Sequence, residues 1–313
     1  MKKLILAVSM LFAFGYLAAQ DEAIYTHYHL NPTLINPGAT GFKGHSTVHM
    51  NARLQWTGFP GSPESYALSY NGAVGESFGL GAMIFNEEIA SLSRMRIQLN
   101  YAFLFNRFEN YKIGLGLSTE FERHSVPSSV LTNPLYDEGD ALLIETTDGR
   151  SFFDASLGIW GTFKENTFFG VSFPNLISQT IDDIGNTGAA GEQQSTLFRY
   201  YMFNLGHAFK VSDMDFILEP SIMLRKVRHA PFQLDFNVKA KFLDERIITG
   251  LQYRSGTGGA IGLLLGTKIN ELKLYYSYDI AFQRFQRYNS GSHEITLSFE
   301  FGQKDKDRSA KFR

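Results

Sequence analysis

The stretch that decides the fold is His45-Ser46-Thr47-Val48-His49-Met50-Asn51-Ala52-Arg53-Leu54-Gln55-Trp56. Val48, Met50, Ala52, Leu54 and Trp56 fall on one face; His45, Thr47, His49, Asn51, Arg53 and Gln55 fall on the other. Successive side chains of a strand point to opposite sides, so this is a β-strand with one apolar and one polar face. The period returns at Arg94 to Phe105, where Met95, Ile97, Leu99, Tyr101, Phe103 and Phe105 alternate with Arg94, Arg96, Gln98 and Asn100. It returns at Phe232 to Phe242, and finally at Ile295, Leu297, Phe299 and Phe301.

Working outward from these anchors, weaker runs complete fourteen predicted strands: 45–56, 65–71, 77–86, 94–105, 111–121, 152–163, 166–173, 198–210, 213–225, 231–243, 246–254, 259–268, 271–280 and 292–302. Most approach the roughly 9–11 residues that a tilted strand needs to cross hydrocarbon. An even number suits a bacterial outer-membrane barrel, whose turns are short on one side and longer on the other. With both chain ends on the periplasmic side, the turns there fall at 71–76, 106–110, 164–165, 211–212, 244–245 and 269–270. The outer loops fall at 57–64, 87–93, 122–151, 174–197, 226–230, 255–258 and 281–291. A soluble β-sandwich also alternates. Its strands usually run five or six residues. The charges on the polar face here, among them Arg94, Arg96, Asp154, Lys239 and Lys241, suit a wet lumen, and the 15 Tyr and 28 Phe suit aromatic girdles. The expected fold is therefore an all-β transmembrane antiparallel barrel.

Lys2 and Lys3, the apolar run Leu4 to Leu17 and Ala18-Ala19 read as a secretory signal peptide, too short for a membrane-spanning helix. The expected organisation is a signal peptide at 1–19, a periplasmic leader at 20–44, an outer-membrane barrel at 45–302 and a charged periplasmic tail at 303–313. The 313 residues contain no Cys, which excludes a disulfide framework, a thiolate metal site and a lipidated cysteine. A net charge of −2, more negative once Lys2 and Lys3 are removed, argues against a nucleic-acid partner.

Catalytic constellations are not evident. There is no Gly-x-Ser-x-Gly elbow. His45 and His49 share a strand face but lie about 13 Å apart at the strand rise, too far to share a metal. The acidic clusters Asp137-Glu138-Gly139-Asp140 and Asp182-Asp183 read as solvated loop charge rather than calcium ligands. No catalytic residue, metal ligand or cofactor is predicted, and an enzyme is not expected. Strand glycines such as Gly79, Gly81, Gly114, Gly116 and Gly158 read as relief of packing and sites of curvature. The leader is different. Asn31-Pro32 and Asn36-Pro37-Gly38 sit among Tyr25, Tyr28, Leu30, Leu34 and Ile35. Asn-Pro initiates turns and proline cannot donate to a ladder, so this is an ordered non-strand segment. It is placed on the periplasmic side, to plug the lumen, to meet a periplasmic partner or simply to lead into the barrel.

Several motifs together resemble the PorP/SprF family. They are Asn31-Pro32-x-x-x-Asn36-Pro37, then Gly41, then Gln55-Trp56-x-Gly58-Phe59-x-Gly61-x-Pro63; Glu219-Pro220-Ser221; Tyr253-Arg254-Ser255-Gly256; Tyr276-Ser277-Tyr278-Asp279; and Tyr288-Asn289-Ser290-Gly291-Ser292-His293-Glu294. The chain departs from the family at Pro37-Gly38-Ala39-Thr40-Gly41, where an aromatic usually precedes the glycine. The resemblance implies an outer-membrane component of the type IX secretion system, not an enzyme. It would help secrete or anchor one surface protein, such as a gliding-motility adhesin. The implied partners are that cargo, periplasmic ring components or a peptidoglycan-linking protein, and outer-membrane lipids. It also marks Asn31, Pro32, Asn36 and Pro37 as candidate partner-binding positions, and Arg53, Trp56, Gly58, Phe59, Pro63, Arg254, Asn289 and Gly291 as motif positions. Cargo would meet the outer loops, and the apparatus would meet the periplasmic side. The alternative function is an outer-membrane transporter or porin for small solutes, since a fourteen-stranded barrel can enclose a path.

Overall fold

A strand with an apolar face but unpaired edges is unstable in hydrocarbon, because each unsatisfied backbone group there costs several kcal/mol. Closing the sheet on itself removes the edges. The computed structural model, which describes residues 25–106, 109–127, 149–177, 179–180, 199–211, 216–227, 232–256, 259–282 and 284–302, shows this closure. The strands are β1 (Ser46–Leu54), β2 (Glu64–Val74), β3 (Phe78–Ile89), β4 (Leu92–Phe105), β5 (Tyr111–Ser125), β6 (Arg150–Phe163), β7 (Thr167–Phe173) and β8 (Gln179–Thr180). There follow β9 (Tyr201–His207), β10 (Phe209–Val211), β11 (Phe216–Lys226), β12 (Gln233–Phe242), β13 (Ile247–Arg254), β14 (Ala260–Ile269), β15 (Leu272–Ala281) and β16 (Ser292–Phe301).

Each strand pairs antiparallel with its sequence neighbour around the ring, and β1 closes it against β16, from Ser46↔Phe301 to Leu54↔His293. β9 and β10 both pair with β11 and together fill one place, interrupted at Ala208. β8 lies off the ring and pairs only with Phe152 and Phe153 of β6. The result is a closed fourteen-stranded barrel. The expected signal peptide, the charged tail and both acidic loop clusters lie outside the described residues.

Burial follows the sequence period. On β16 the inward positions are buried and the outward ones are not. The outer wall shows bare apolar side chains, with Met50 54%, Leu251 58% and Leu265 59% exposed. A band of this kind has no soluble counterpart and is the lipid face of an outer-membrane barrel. The two rims differ in their connections. The turn rim carries both ends of the ring and tight reversals at 75–77, 164–166, 243–246 and 270–271. Lys164, Glu165, Asp244 and Asn270 take positive φ there. The loop rim carries 55–63, the long 126–149 and 174–200 connections, and 282–291. One expected outer loop is absent. β3 and β4 continue to Ile89 and Leu92, leaving only Ala90 and Ser91 between them. Ala90 takes positive φ and its N–H donates to Gly61 O at 2.9 Å.

Candidate functional site in the barrel lumen

The polar inner wall does not enclose an open wet lumen, as its charges alone suggest. Many of those charges pair with one another. Arg96 Nε meets Glu122 Oε2 at 2.9 Å, Arg94 Nε meets Glu122 Oε1 at 3.1 Å, and Lys239 Nζ meets Glu219 Oε1 at 2.7 Å. Against this wall lies the leader itself. It lies within the ring of strands, the plugging placement that the sequence left open beside contact with a periplasmic partner. Three 3-10 turns, His27–His29, Pro32–Leu34 and Pro37–Ala39, fold it compactly. The two Asn-Pro pairs start the second and third turns, since each proline occupies the first helical position, where no N–H is needed.

The leader begins in the half of the lumen near the loop rim. Glu294 of β16 accepts from Thr26 N at 2.8 Å and His27 N at 3.1 Å. The same carboxylate accepts from Arg53 Nη1 and Asn51 Nδ2, both at 2.8 Å. Arg53 Nη2 reaches Asp279 Oδ2 at 3.0 Å, and Thr26 Oγ1 donates to that oxygen at 2.8 Å. Arg53, Asp279 and Glu294 thus form a clamp in which two strand carboxylates and one guanidinium hold a leader turn. A buried carboxylate is tolerated only when paired and fully hydrogen-bonded, and Glu294 meets that condition. Burial lowers the pKa of His27, with Glu294 pulling the other way, and lowers that of His29 much further. Tyr28 Oη accepts from Asn237 Nδ2 at 2.8 Å, and burial raises its pKa.

The middle of the leader crosses to the opposite wall. Asn31 Nδ2 donates to Ser69 Oγ at 3.1 Å. Asn36 is the most heavily used side chain. Its Nδ2 donates to Ile159 O at 2.9 Å and Val171 O at 3.1 Å, while its Oδ1 accepts from Gly38 N at 2.9 Å. One amide therefore caps its own turn and ties β6 to β7. Ser172 Oγ adds a donation to Ile35 O at 2.6 Å.

Here the strand glycines find their purpose. A Cβ on Gly116 would lie 2.2 Å from the Pro37 carbonyl carbon. One on Gly158 would lie 2.1 Å from Asn36 Oδ1, and one on Gly79 would lie 2.1 Å from Thr40 O. These are close approaches of the leader, by its backbone at Gly116 and Gly79 and by the Asn36 side chain at Gly158, a more specific role than curvature. The leader then leaves at the turn rim. Gly41 N donates to Asn71 Oδ1 at 2.6 Å, Lys112 donates to Phe42 O, and Phe42 packs with Ala39, Ala102, Leu104 and Trp160.

The motif positions separate into two groups. Arg53 belongs to the clamp. Trp56, Gly58, Asn289 and Gly291 meet at the loop rim instead. Thr57 N donates to Gly291 O and Ser290 N to Thr57 O, both at 2.8 Å. Trp56 N donates to Ser292 Oγ at 3.1 Å, and Asn289 Oδ1 accepts from Gly291 N at 2.9 Å. Gly58 and Gly291 both hold positive φ, and a Cβ at Gly291 would strike the Tyr278 ring at 2.7 Å. The loops flanking the β1–β16 seam are therefore stitched together. Phe59 stands 41% exposed above them, and Pro63 O accepts from Gln55 N at 2.9 Å. Arg254 lies elsewhere on the wall, its Nε 3.2 Å from Asp235 Oδ1. Asp279, Glu294 and the leader-facing glycines were not singled out as site residues. The signals for them were opposite charges on inward positions of neighbouring strands, and glycines two apart on one inward face.

A closed barrel with an apolar outer band and a lumen occupied by its own N-terminal segment is a plugged outer-membrane protein. The family model for the type IX secretion system membrane protein PorP/SprF matches residues 17–299, and the chain belongs to that family. Among solved structures it is similar to the Pseudomonas putida toluene transporter TodX, at TM-score 0.49 and 7% identity, covering 90% of this chain and 95% of that one. It is similar to the Acinetobacter baumannii outer membrane protein Omp33, at TM-score 0.48 and 6% identity, covering 82% and 98%. It is also similar to the KdgM porin, at TM-score 0.40 and 9% identity, covering 82% and 99%. The barrel is established by its own strand pairing rather than by these distant likenesses. No curated protein matches the chain.

Proposed function

We propose that this protein is a plugged docking barrel of the type IX secretion system, which helps deliver or anchor one secreted surface protein. The observation that carries this is the leader. An ordered segment with thirteen side-chain hydrogen bonds to the wall among the described residues is a poor feature for an open pore and a good one for a rigid scaffold. Binding loops work best on such a scaffold. The stitched rim around Trp56, Gly58, Asn289 and Gly291, with Phe59 exposed, is the surface we assign to cargo, a gliding-type adhesin being one example. The turn rim, where the leader leaves at Gly41–Gly44, is the surface we assign to the periplasmic apparatus. On this reading the leader residues Asn31, Pro32, Asn36 and Pro37 hold the scaffold from inside.

The test is deletion of the gene, followed by analysis of surface proteins and of small-solute uptake. Loss of one large exported protein from the surface, with uptake unchanged, is expected. Unchanged surface proteins with reduced uptake would favour the solute transporter instead.

A further inference from the structure

The leader does not fill the lumen completely. Toward the turn rim it leaves a cavity of about 390 Å³. This falls within the roughly 300–1,000 Å³ of small-molecule sites. Part of its lining is apolar, contributed by Phe42, Trp160, Phe168, Ile222, Ile248 and Tyr275. Interleaved with it are charged groups that are out of balance. Glu219 serves Lys239 at 2.7 Å and Lys241 at 3.0 Å. Glu245 serves Lys241 at 3.1 Å, Lys273 at 3.4 Å and Lys268 at 3.6 Å. Glu300 serves Lys273 at 3.0 Å and faces His45 at 3.7 Å. Three carboxylates thus serve four lysines.

A fifth lysine, Lys43, lines the same cavity and has no carboxylate partner among the described residues. The charges acting on it are Lys273, Glu300, Lys241 and Glu245, and every one of those carboxylates is already shared. Glu165 also lines the cavity, and it acts on Lys112. Lys43 is exposed, and nothing stands within 4 Å of where a Cβ on neighbouring Gly44 would be.

An excess of ammonium groups in a chamber that also has aromatic and aliphatic lining is complementary to a molecule with an anionic head and an apolar body. We propose that this chamber binds an amphiphile carrying one anionic head, a carboxylate or a phosphate monoester, with Lys43 as its counter-charge. The inference does not depend on the secretion role, and either can fail without the other.

The test uses the full-length protein in phosphatidylcholine nanodiscs, with empty nanodiscs as the blank. It is titrated calorimetrically with decanoate, decyl phosphate, decanol and inorganic phosphate. One decanoate or decyl phosphate per barrel is expected, at least tenfold tighter than decanol, and whichever binds more tightly identifies the head. Lys43→Gln, at an exposed leader position outside every strand, should erase the preference for acid over alcohol, and Lys43→Arg should keep it. Retained heat-modifiable migration in gels shows that each variant is folded. Equal binding of decanol and decanoate, an unchanged preference in Lys43→Gln, or inorganic phosphate binding as tightly as decyl phosphate would each overturn the proposal.

Discussion

Glu294→Ala should release the leader while leaving the barrel intact. The side chain accepts two leader N–H groups, from Thr26 and His27, and two wall groups, from Asn51 and Arg53. Only the first two contribute directly to docking. A hydrogen bond to a charged group contributes about 1.5–3 kcal/mol, so two of them sum to about 3–6 kcal/mol. Water entering the vacated space, together with the surviving Asp279–Thr26 bond, places the loss near the lower end, about 3 kcal/mol. That corresponds to a roughly hundredfold rise in the undocked population. The chain has no Cys, so a single Thr33→Cys reports on docking without background. Thr33 is 5% exposed in the docked leader. Maleimide labelling of Thr33→Cys should be slow in the parent and about a hundredfold faster with Glu294→Ala, in barrels that still show heat-modifiable migration. Equal labelling rates in folded barrels would refute the clamp.

The same reporter tests the glycine bed. Gly116→Val or Gly158→Val drives a side chain into the leader backbone or Asn36, so labelling should rise as much as with Glu294→Ala or more. Docking should also weaken in acid. His29, among Lys239, His27, Glu219 and Glu294, has a lowered pKa when docked, so the free leader takes up protons more readily. Docking is then complete above the ordinary imidazole value of about 6.5 and is lost as pH falls toward the docked value. Labelling, normalised to a denatured control, should increase between about pH 7.5 and 5.5, and His29→Asn should flatten that slope. On the outer wall, Leu251→Arg near mid-strand should destabilise by about 2–4 kcal/mol in denaturant titration, and Ile269→Arg at the rim by about 0–1 kcal/mol.

Almost all of the barrel was legible because the two-residue period is a direct image of the wall. Strand limits such as 94–105 against Leu92–Phe105 differ by no more than the frayed ends of a ladder allow. Where sequence reading slipped, local geometry carried no period. The run 198–210 conceals the break at Ala208, and β8 is only a two-residue pairing. The 87–93 loop vanished because polar Glu87, Glu88 and Ser93 look like loop but pair inside the lumen and at its rim. The site was half visible. Asn31-Pro32 and Asn36-Pro37 announced their turns, and Arg53 was marked by its motif. Their location was left open because a polar inner wall suits water and a docked peptide equally well. The inward pairs Gly79/Gly81 and Gly114/Gly116 held the missing information, since glycine two residues apart on one strand face means that something passes very close.

The clamp also has a consequence in time. Thr26 and Glu294 are 268 residues apart, and the ring that positions Glu294 closes only when β16 meets β1. The leader, synthesised before every strand of the barrel, can be last to settle. Until the final strand is in place its two turn amides have no carboxylate to receive them, and every barrel that lacks β16 carries its first leader turn loose. A docked leader is thus a built-in certificate of completion: any factor that engages a loose leader would distinguish unfinished barrels from finished ones without inspecting the wall at all.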